Sequence, residues 1–288
     1  MIPPAPNKIL LLDGGMGSLL FRMGLTAGRA PETWVVEAPE HIESAHRAYV
    51  EAGSDVIQTA TFGATPSKLL ASGLAGRCAQ VNARAVDIAR RASAGRTLVA
   101  GDLGPTGRML EPMGSATLEE IEEDFRVQAV ALAAAGVDVL NIETMFDLRE
   151  ALCAVRAAVS TGLPVWAALT FEPAPDGFYT MMGDELVASL VALRQAGAAV
   201  VGLNCSVTSD LMLPMVRAAA TAVGGPLIAQ PNAGPPRTAP DGSILDADPG
   251  TFAADLVEMT RAGARVVGGC CGTTPGFIRM VRSALDRT

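Results

Sequence analysis

Two cysteines stand side by side in VVGGCCGTTP, residues 266–275, and a third closes the apolar run AVVGLNC at position 205. Thiols so placed can be inert core residues, a redox pair or arms of a metal site. A lone buried cysteine usually packs as a small hydrophobe, and Cys78 and Cys153, both in helix-like segments, read that way. A structural Cys270–Cys271 bridge is disfavoured because adjacent residues close a strained ring. Five cysteines are an odd number without small-scaffold spacing, so no disulfide framework is expected. Three converging thiolates would suit Zn²⁺, which takes soft ligands tetrahedrally and in catalytic sites keeps a fourth position open. With no C-x-x-C element, spacing alone leaves the metal site and the idle-thiol reading side by side. GG before CC also resembles a phosphate-binding turn, but that loop brings no Lys or Arg.

Such a zinc would be a poor hydrolytic centre, because three thiolates leave it a formal negative charge and weaken its pull on water. It would be better at taking a further thiol, removing its proton and leaving the sulfur nucleophilic. Alkyl transfer to a substrate thiol follows from those ligands. The two histidines, His41 and His46, share one helical segment away from the strand ends, which argues against Ser–His or Cys–His catalysis. DGGMGS and GDLGPTG lack the Walker lysine and the dinucleotide-binding glycine order.

The elements that must position these groups recur along the chain. Eight short apolar runs, 9–13, 56–62, 97–102, 137–143, 164–171, 199–205, 226–232 and 265–270, alternate with Ala-rich amphipathic stretches. Runs of this length ending in Gly, Pro, Asn, Asp or Thr read as buried parallel strands. Four stretches close on an AG pair (EAGSD, AAGVD, QAGAA, RAGAR), a C-cap signal. Thr117 with Glu120 reads as a capping box, and Thr274–Pro275 as the N-cap and first turn of the last helix. Eight such units predict one (β/α)₈ barrel over residues 1–288, with 1–8 as a flexible leader; an open doubly wound sheet is the alternative. Catalytic groups of a barrel sit at the C-terminal strand ends. There the sequence places Asp13, Gln58, Thr59, Thr61, Asp102, Glu143, Cys205, Asn232, Cys270 and Cys271. Taken singly, Asp102 and Thr61 read as hydrogen-bonded structural residues.

A net charge of −8 and the lack of a basic block exclude nucleic acid or an anionic membrane as the main partner. No uncharged apolar run reaches the ~18 residues of a membrane span, and MIPPAPNKILLLDGG lacks the pattern of a secretory signal. A cytoplasmic protein with reduced thiols is expected.

DGGMGSLL, VIQTATFGAT, GDLGPTG, NIETMFD, GLNCS, QPNAG and GGCCGTTP resemble, in order, the motifs of zinc-dependent homocysteine S-methyltransferases. GDLGPTG and GGCCGTTP most resemble the homocysteine-binding module of cobalamin-dependent methionine synthases. The resemblance implies a (β/α)₈ barrel that methylates homocysteine to methionine, with Cys205, Cys270 and Cys271 holding zinc. It further implies that Asp13 and Glu143 bind the substrate ammonium, and that the backbone around Gly14, Gly15, Gly17 and Ser18 receives the carboxylate. Asn232 would lie near the zinc, occupying its open position until substrate arrives. The methyl donor is left open: a methylcorrinoid (methylcobalamin, free or on a partner protein), S-methylmethionine or S-adenosylmethionine. Betaine ranks last, since Trp34, Trp166, Tyr49 and Tyr179 are dispersed and its quaternary nitrogen calls for an aromatic cage. The family's TNTF is TATF here, so Ala60 replaces an amide, and Gly15 and Ser18 replace an alanine and a threonine. Ala60 keeps two further readings in view: a different thiol or selenol acceptor, or a non-catalytic zinc or thiol sensor.

Overall fold

The computed structural model describes residues 8–234 and 248–288, with two short strands at 237–238 and 244–245 between them. The leader expected at 1–8 lies, apart from Lys8, outside the described residues. Eight parallel strands form one sheet: β1 (Leu10–Leu11), β2 (Val56–Gln58), β3 (Leu98–Leu103), β4 (Val139–Met145), β5 (Val165–Leu169), β6 (Val200–Thr208), β7 (Leu227–Asn232) and β8 (Ala264–Val267). Each strand pairs with its sequence neighbours, and β8 pairs with β1. A parallel bridge between Leu12 and Val56 then joins β1 to β2 and closes the ring. An open doubly wound sheet would instead keep two edges and a reversal of strand order.

Period-two alternation divides each strand between two environments. Leu10, Leu12, Val56, Ala100, Val139, Trp166, Val200, Ile228 and Val266 fill the interior. Their neighbours Leu11, Ile57, Val99, Leu140, Val201 and Leu203 meet the surrounding helices. Those helices are α1 (Pro39–Ala52), α2 (Cys78–Ser93), α3 (Leu118–Ala135), α4 (Leu148–Val159), α5 (Leu186–Gln195), α6 (Ser209–Ala222), α7 (Pro249–Ala262) and α8 (Pro275–Leu285). The capping box of Thr117 and Glu120 forms at the start of α3. Gly53 and Gly136 end α1 and α3 at φ of 98° and 87°, the left-handed turn that a Cβ would resist. Thr274 and Pro275 open α8 as expected, but the threonine side chain makes no cap bond.

The strand ends shift by a few residues from the sequence reading, and two differences stand out. Strand β2 stops at Gln58 rather than residue 62, because Thr59–Phe62 curl inward: Thr61 N–H reaches Thr59 O at 2.8 Å and Thr61 Oγ1 donates to Asp102 O at 2.7 Å. Their β-branched side chains mimic a strand signal. Between β5 and α5 an unanticipated hairpin pairs Glu172–Ala174 with Gly177–Tyr179 around a Pro-Asp-Gly turn. Among the described residues no helix is long and apolar enough to cross a membrane.

Candidate metal centre

At the C-terminal mouth of the barrel the polar strand ends converge, and the three thiols meet. The sulfurs of Cys205, Cys270 and Cys271 all lie within 4.8 Å of one another, with Cys205 Sγ 3.9 Å from Cys271 Sγ. An ion held tetrahedrally by thiolates at about 2.3 Å needs sulfurs about 3.8 Å apart, so the trio fits. Cys78 and Cys153 stay buried in α2 and α4.

Strict alternation would send Cys205 outward. Val200 and Asn204 take the interior side of β6, and Leu203 the helix side. The chain turns the thiol back by placing Cys205 and Ser206 at φ of 58° and 56°, where the β6–β7 register also shifts. Left-handed backbone at non-glycine residues is uncommon and concentrates at functional sites.

The loop carrying the other two thiols is pinned from several sides. Cys270 N–H donates to Pro231 O at 2.9 Å, and Cys271 N–H to Asn232 Oδ1 at 3.0 Å. Gly272 N–H donates to Ser18 Oγ at 3.1 Å, and Tyr49 Oη donates to Thr273 O at 3.0 Å. Thr273 Oγ1 donates to Cys270 O at 2.6 Å and accepts from Gly15 N–H at 3.0 Å. The glycines before the thiols serve packing: a Cβ on Gly268 would lie 2.6 Å from Leu12 Cβ, and one on Gly269 2.3 Å from Thr273 Oγ1. That accounts for GG without phosphate. Tyr49 and Thr273 carry no chemical signal in the sequence and emerge only from the fold.

Beside the sulfurs lies a cavity of about 210 Å³ lined by Asp13, Gly14, Gly15, Gly17, Ser18, Glu143, all three cysteines, and also Glu32, Asp102 and Ala60. Asn232 lies outside that lining, with its Oδ1 on the Cys271 amide. Gly15 N–H is likewise already bonded to Thr273, so the glycine turn supports the cysteine loop as well as facing the cavity. Asp13 Oδ2 accepts from Gln58 N–H at 2.9 Å, while its buried Oδ1 has no partner among the described residues; the same holds for Asp102 Oδ1. Glu32, overlooked in the sequence, accepts from Gly63 N–H at 2.6 Å. Ala60 packs in an apolar cluster with Leu20, Leu25 and Val35, so the missing amide is replaced by a dry wall.

Among the described residues no Lys, Arg or His lines this cavity. Burial therefore dominates the acids' behaviour: it pushes the Asp13 and Asp102 carboxyls well above the usual range, with the nearby Glu143 charge adding to both. Burial, then the Cys205 sulfur, pushes Glu143 up to about 7. Without an ion the thiols also divide unevenly. Hydrogen bonds from Cys270 and Cys271 hold the Cys205 thiol down, and the same contacts push the other two up, Cys271 to about 11. One shared thiolate on Cys205 is a site that favours a cation. The histidines take no part: His46 is buried in α1 and His41 packs at a tilt against Trp34, ring centres 4.6 Å apart.

A family model for homocysteine S-methyltransferase matches residues 10–285. The chain belongs to the homocysteine S-methyltransferase family. Within it, the chain is 30% identical over 300 residues to methionine synthase of Mycobacterium leprae (strain TN), covering 98% of this chain and 24% of that protein. It is 30% identical over 298 residues to methionine synthase of Mycobacterium tuberculosis (strain ATCC 25618 / H37Rv), covering 97% and 25%. It thus spans about a quarter of the length of these relatives. The metallated crystal form of the Escherichia coli homocysteine methyltransferase MmuM is similar throughout, with a TM-score of 0.81, 26% identity and 96% of both chains covered. The family match and the (β/α)₈ fold agree with the expectations drawn from the sequence.

Proposed function

We propose that this homocysteine S-methyltransferase family member transfers a methyl group to homocysteine sulfur, with zinc held by Cys205, Cys270 and Cys271. The observation that carries the reading is a triad of sulfurs at tetrahedral spacing beside a cavity lined, among the described residues, by acids and no base. Zinc, when bound, supplies an open position for the substrate thiol and holds its sulfur deprotonated. The protein's own groups do the rest. Asp13 and Glu143 take the substrate ammonium, which relieves two buried carboxylates that have no basic partner among the described residues. Gly14, Gly17 and Ser18 offer backbone amides to the carboxylate, while Gly15 and Asn232 hold the cysteine loop in place. With both ends of the amino acid fixed, the sulfur faces the donor, which approaches from the mouth. One carbon–sulfur bond forms as the methyl–donor bond breaks, and its electron pair leaves with the donor.

The GDLGPTG motif, in its resemblance to the homocysteine-binding module of cobalamin-dependent methionine synthases, supports a methylcorrinoid donor. The surplus acids Glu32 and Asp102 support a positively charged sulfonium, S-methylmethionine or S-adenosylmethionine. Zinc-loaded protein offered homocysteine with each donor separately, with methionine measured by mass, distinguishes them. The reading is wrong if no donor yields methionine, or if the purified protein retains no zinc and Cys271→Ala leaves turnover unchanged.

A further inference from the structure

One buried side chain touches both halves of this site, and neither its motif nor any role assigned above accounts for it. Asn204, fully buried on β6, accepts from Thr144 N–H through Oδ1 at 2.7 Å and donates from Nδ2 to Thr144 Oγ1 at 2.7 Å. The same Nδ2 lies 4.0 Å from Cys270 Sγ. Thr144 directly follows Glu143, lines the cavity, and sits at φ of 61°. For a β-branched residue that is an outlier, which persists only where surrounding contacts enforce it. Asn204 directly precedes Cys205 and Ser206, themselves left-handed, and both strands shift register here, β4 between Ile142 and Met145 and β6 between Asn204 and Thr208.

We propose that Asn204 is a positioning residue that sets the separation between the ammonium-binding end and the sulfur-binding end of the site, and so selects the length of the thiol amino acid. The inference rests on the functional reading above. A carboxamide that grips the backbone behind Glu143 while its own backbone carries Cys205 fixes one end of the substrate relative to the other. Homocysteine and cysteine differ by one methylene, less than about 1.5 Å of reach, so telling them apart requires that separation to be held more tightly than this. One methylene is typically discriminated about 10- to 200-fold.

The test uses zinc-loaded wild type, Asn204→Ala, which removes both bonds of the clamp, and Thr144→Val, which removes the Oγ1 bond and leaves the backbone one, so that a smaller shift in the same direction is expected. Zinc per chain, kcat and KM for homocysteine and for cysteine with one donor, and homocysteine binding by calorimetry without donor are measured. The expected result is near-wild-type zinc, a roughly tenfold rise in homocysteine KM with a smaller change in kcat, and a roughly tenfold drop in the homocysteine-to-cysteine ratio of kcat/KM. Adding Thr144→Gly to Asn204→Ala restores part of the ratio, since glycine holds this φ unaided. Should Asn204→Ala fail to fold, Thr144→Val carries the test. An unchanged ratio in the folded variants overturns the proposal, as does a loss of zinc that alone accounts for the lost activity. Wild type that neither binds nor methylates homocysteine overturns the functional reading itself, and is recognised before any variant is made.

Discussion

Glu143→Gln removes a charge from the wall of the cavity while keeping the side chain's shape. The Glu143 carboxyl is pushed by burial from an ordinary 4.5 up to about 7, and each tenfold change in proton affinity corresponds to about 1.4 kcal/mol. Below pH 4.5 the group is protonated folded or unfolded and contributes no difference. As pH rises from 4.5 to 7 the unfolded chain ionises first, and above 7 the ionised carboxylate costs the folded protein about 3 kcal/mol. The glutamine variant of the metal-free protein is therefore expected to exceed wild type by about 3 kcal/mol at pH 8 and to match it near pH 4. Substrate should respond in the opposite sense. Loss of a buried charge partner for the ammonium typically costs 2 kcal/mol or more, which is about a 30-fold rise in homocysteine KM for the metal-loaded enzyme. Urea titrations at the two pH values and steady-state kinetics at pH 8 measure both arms. Equal stability at pH 8, or an unchanged KM, refutes the reasoning that this carboxylate, met only by neutral amides such as Asn141 among the described residues, is kept for a cationic ligand.

Other expectations follow from single contacts. Serine at any of positions 205, 270 or 271 should reduce bound zinc, read by metal analysis, and lower turnover by two to three decades or more, because each change removes one arm of the nucleophile's activator. Gly15→Ala places a Cβ 2.5 Å from Cys270 O and from Ser18 Oγ, whereas Gly17→Ala meets nothing within 4 Å; the first should weaken zinc retention and destabilise by about 1–3 kcal/mol, and the second should do neither, as judged by chelator competition and thermal melting. Burial holds the His46 imidazole down from 6.5 to about 4, and neither ring nitrogen has a partner among the described residues. Stability is therefore lost as pH falls below 6.5, by about 2 kcal/mol at pH 5, and His46→Leu should flatten that limb in urea titrations while changing little at pH 8.

The barrel was legible because its signal is repeated: eight short apolar runs and AG turns leave few other arrangements, and every expected run holds a strand. The boundaries were less so where side-chain chemistry imitates a strand, as in Thr59–Phe62. The thiols could be singled out by type, and their places at the ends of the sixth and eighth strands allow them to converge at the mouth, as they do, but the turn that aims Cys205 inward could not be read from alternation. Counting in twos from Val200 puts Cys205 on the outer face, and only two left-handed residues bring it inside. Asn204 escaped for a related reason: beside a cysteine in GLNCS it reads as a strand-end polar residue, and its partner Thr144 is 60 positions away in sequence. Glu32 stands outside every apolar run, in the short helix Glu32–Glu37, and reaches the cavity only through the long excursion after β1.

The sulfurs hang from the sixth and eighth staves, while the braces behind them, Asp13, Gly15 and Ser18, come from just beyond the first. Gly269 N–H donating to Asp13 O at 3.0 Å is part of the seam between the last strand and the first. An ion gripped here is thus clasped where the two ends of the chain's strand sequence meet, so metal capture and the pairing of first and last strands reinforce each other. Chelation should accordingly be felt first along that seam, as faster amide exchange at Gly15, Gly269 and Gly272 while the opposite wall around Trp166 stays protected.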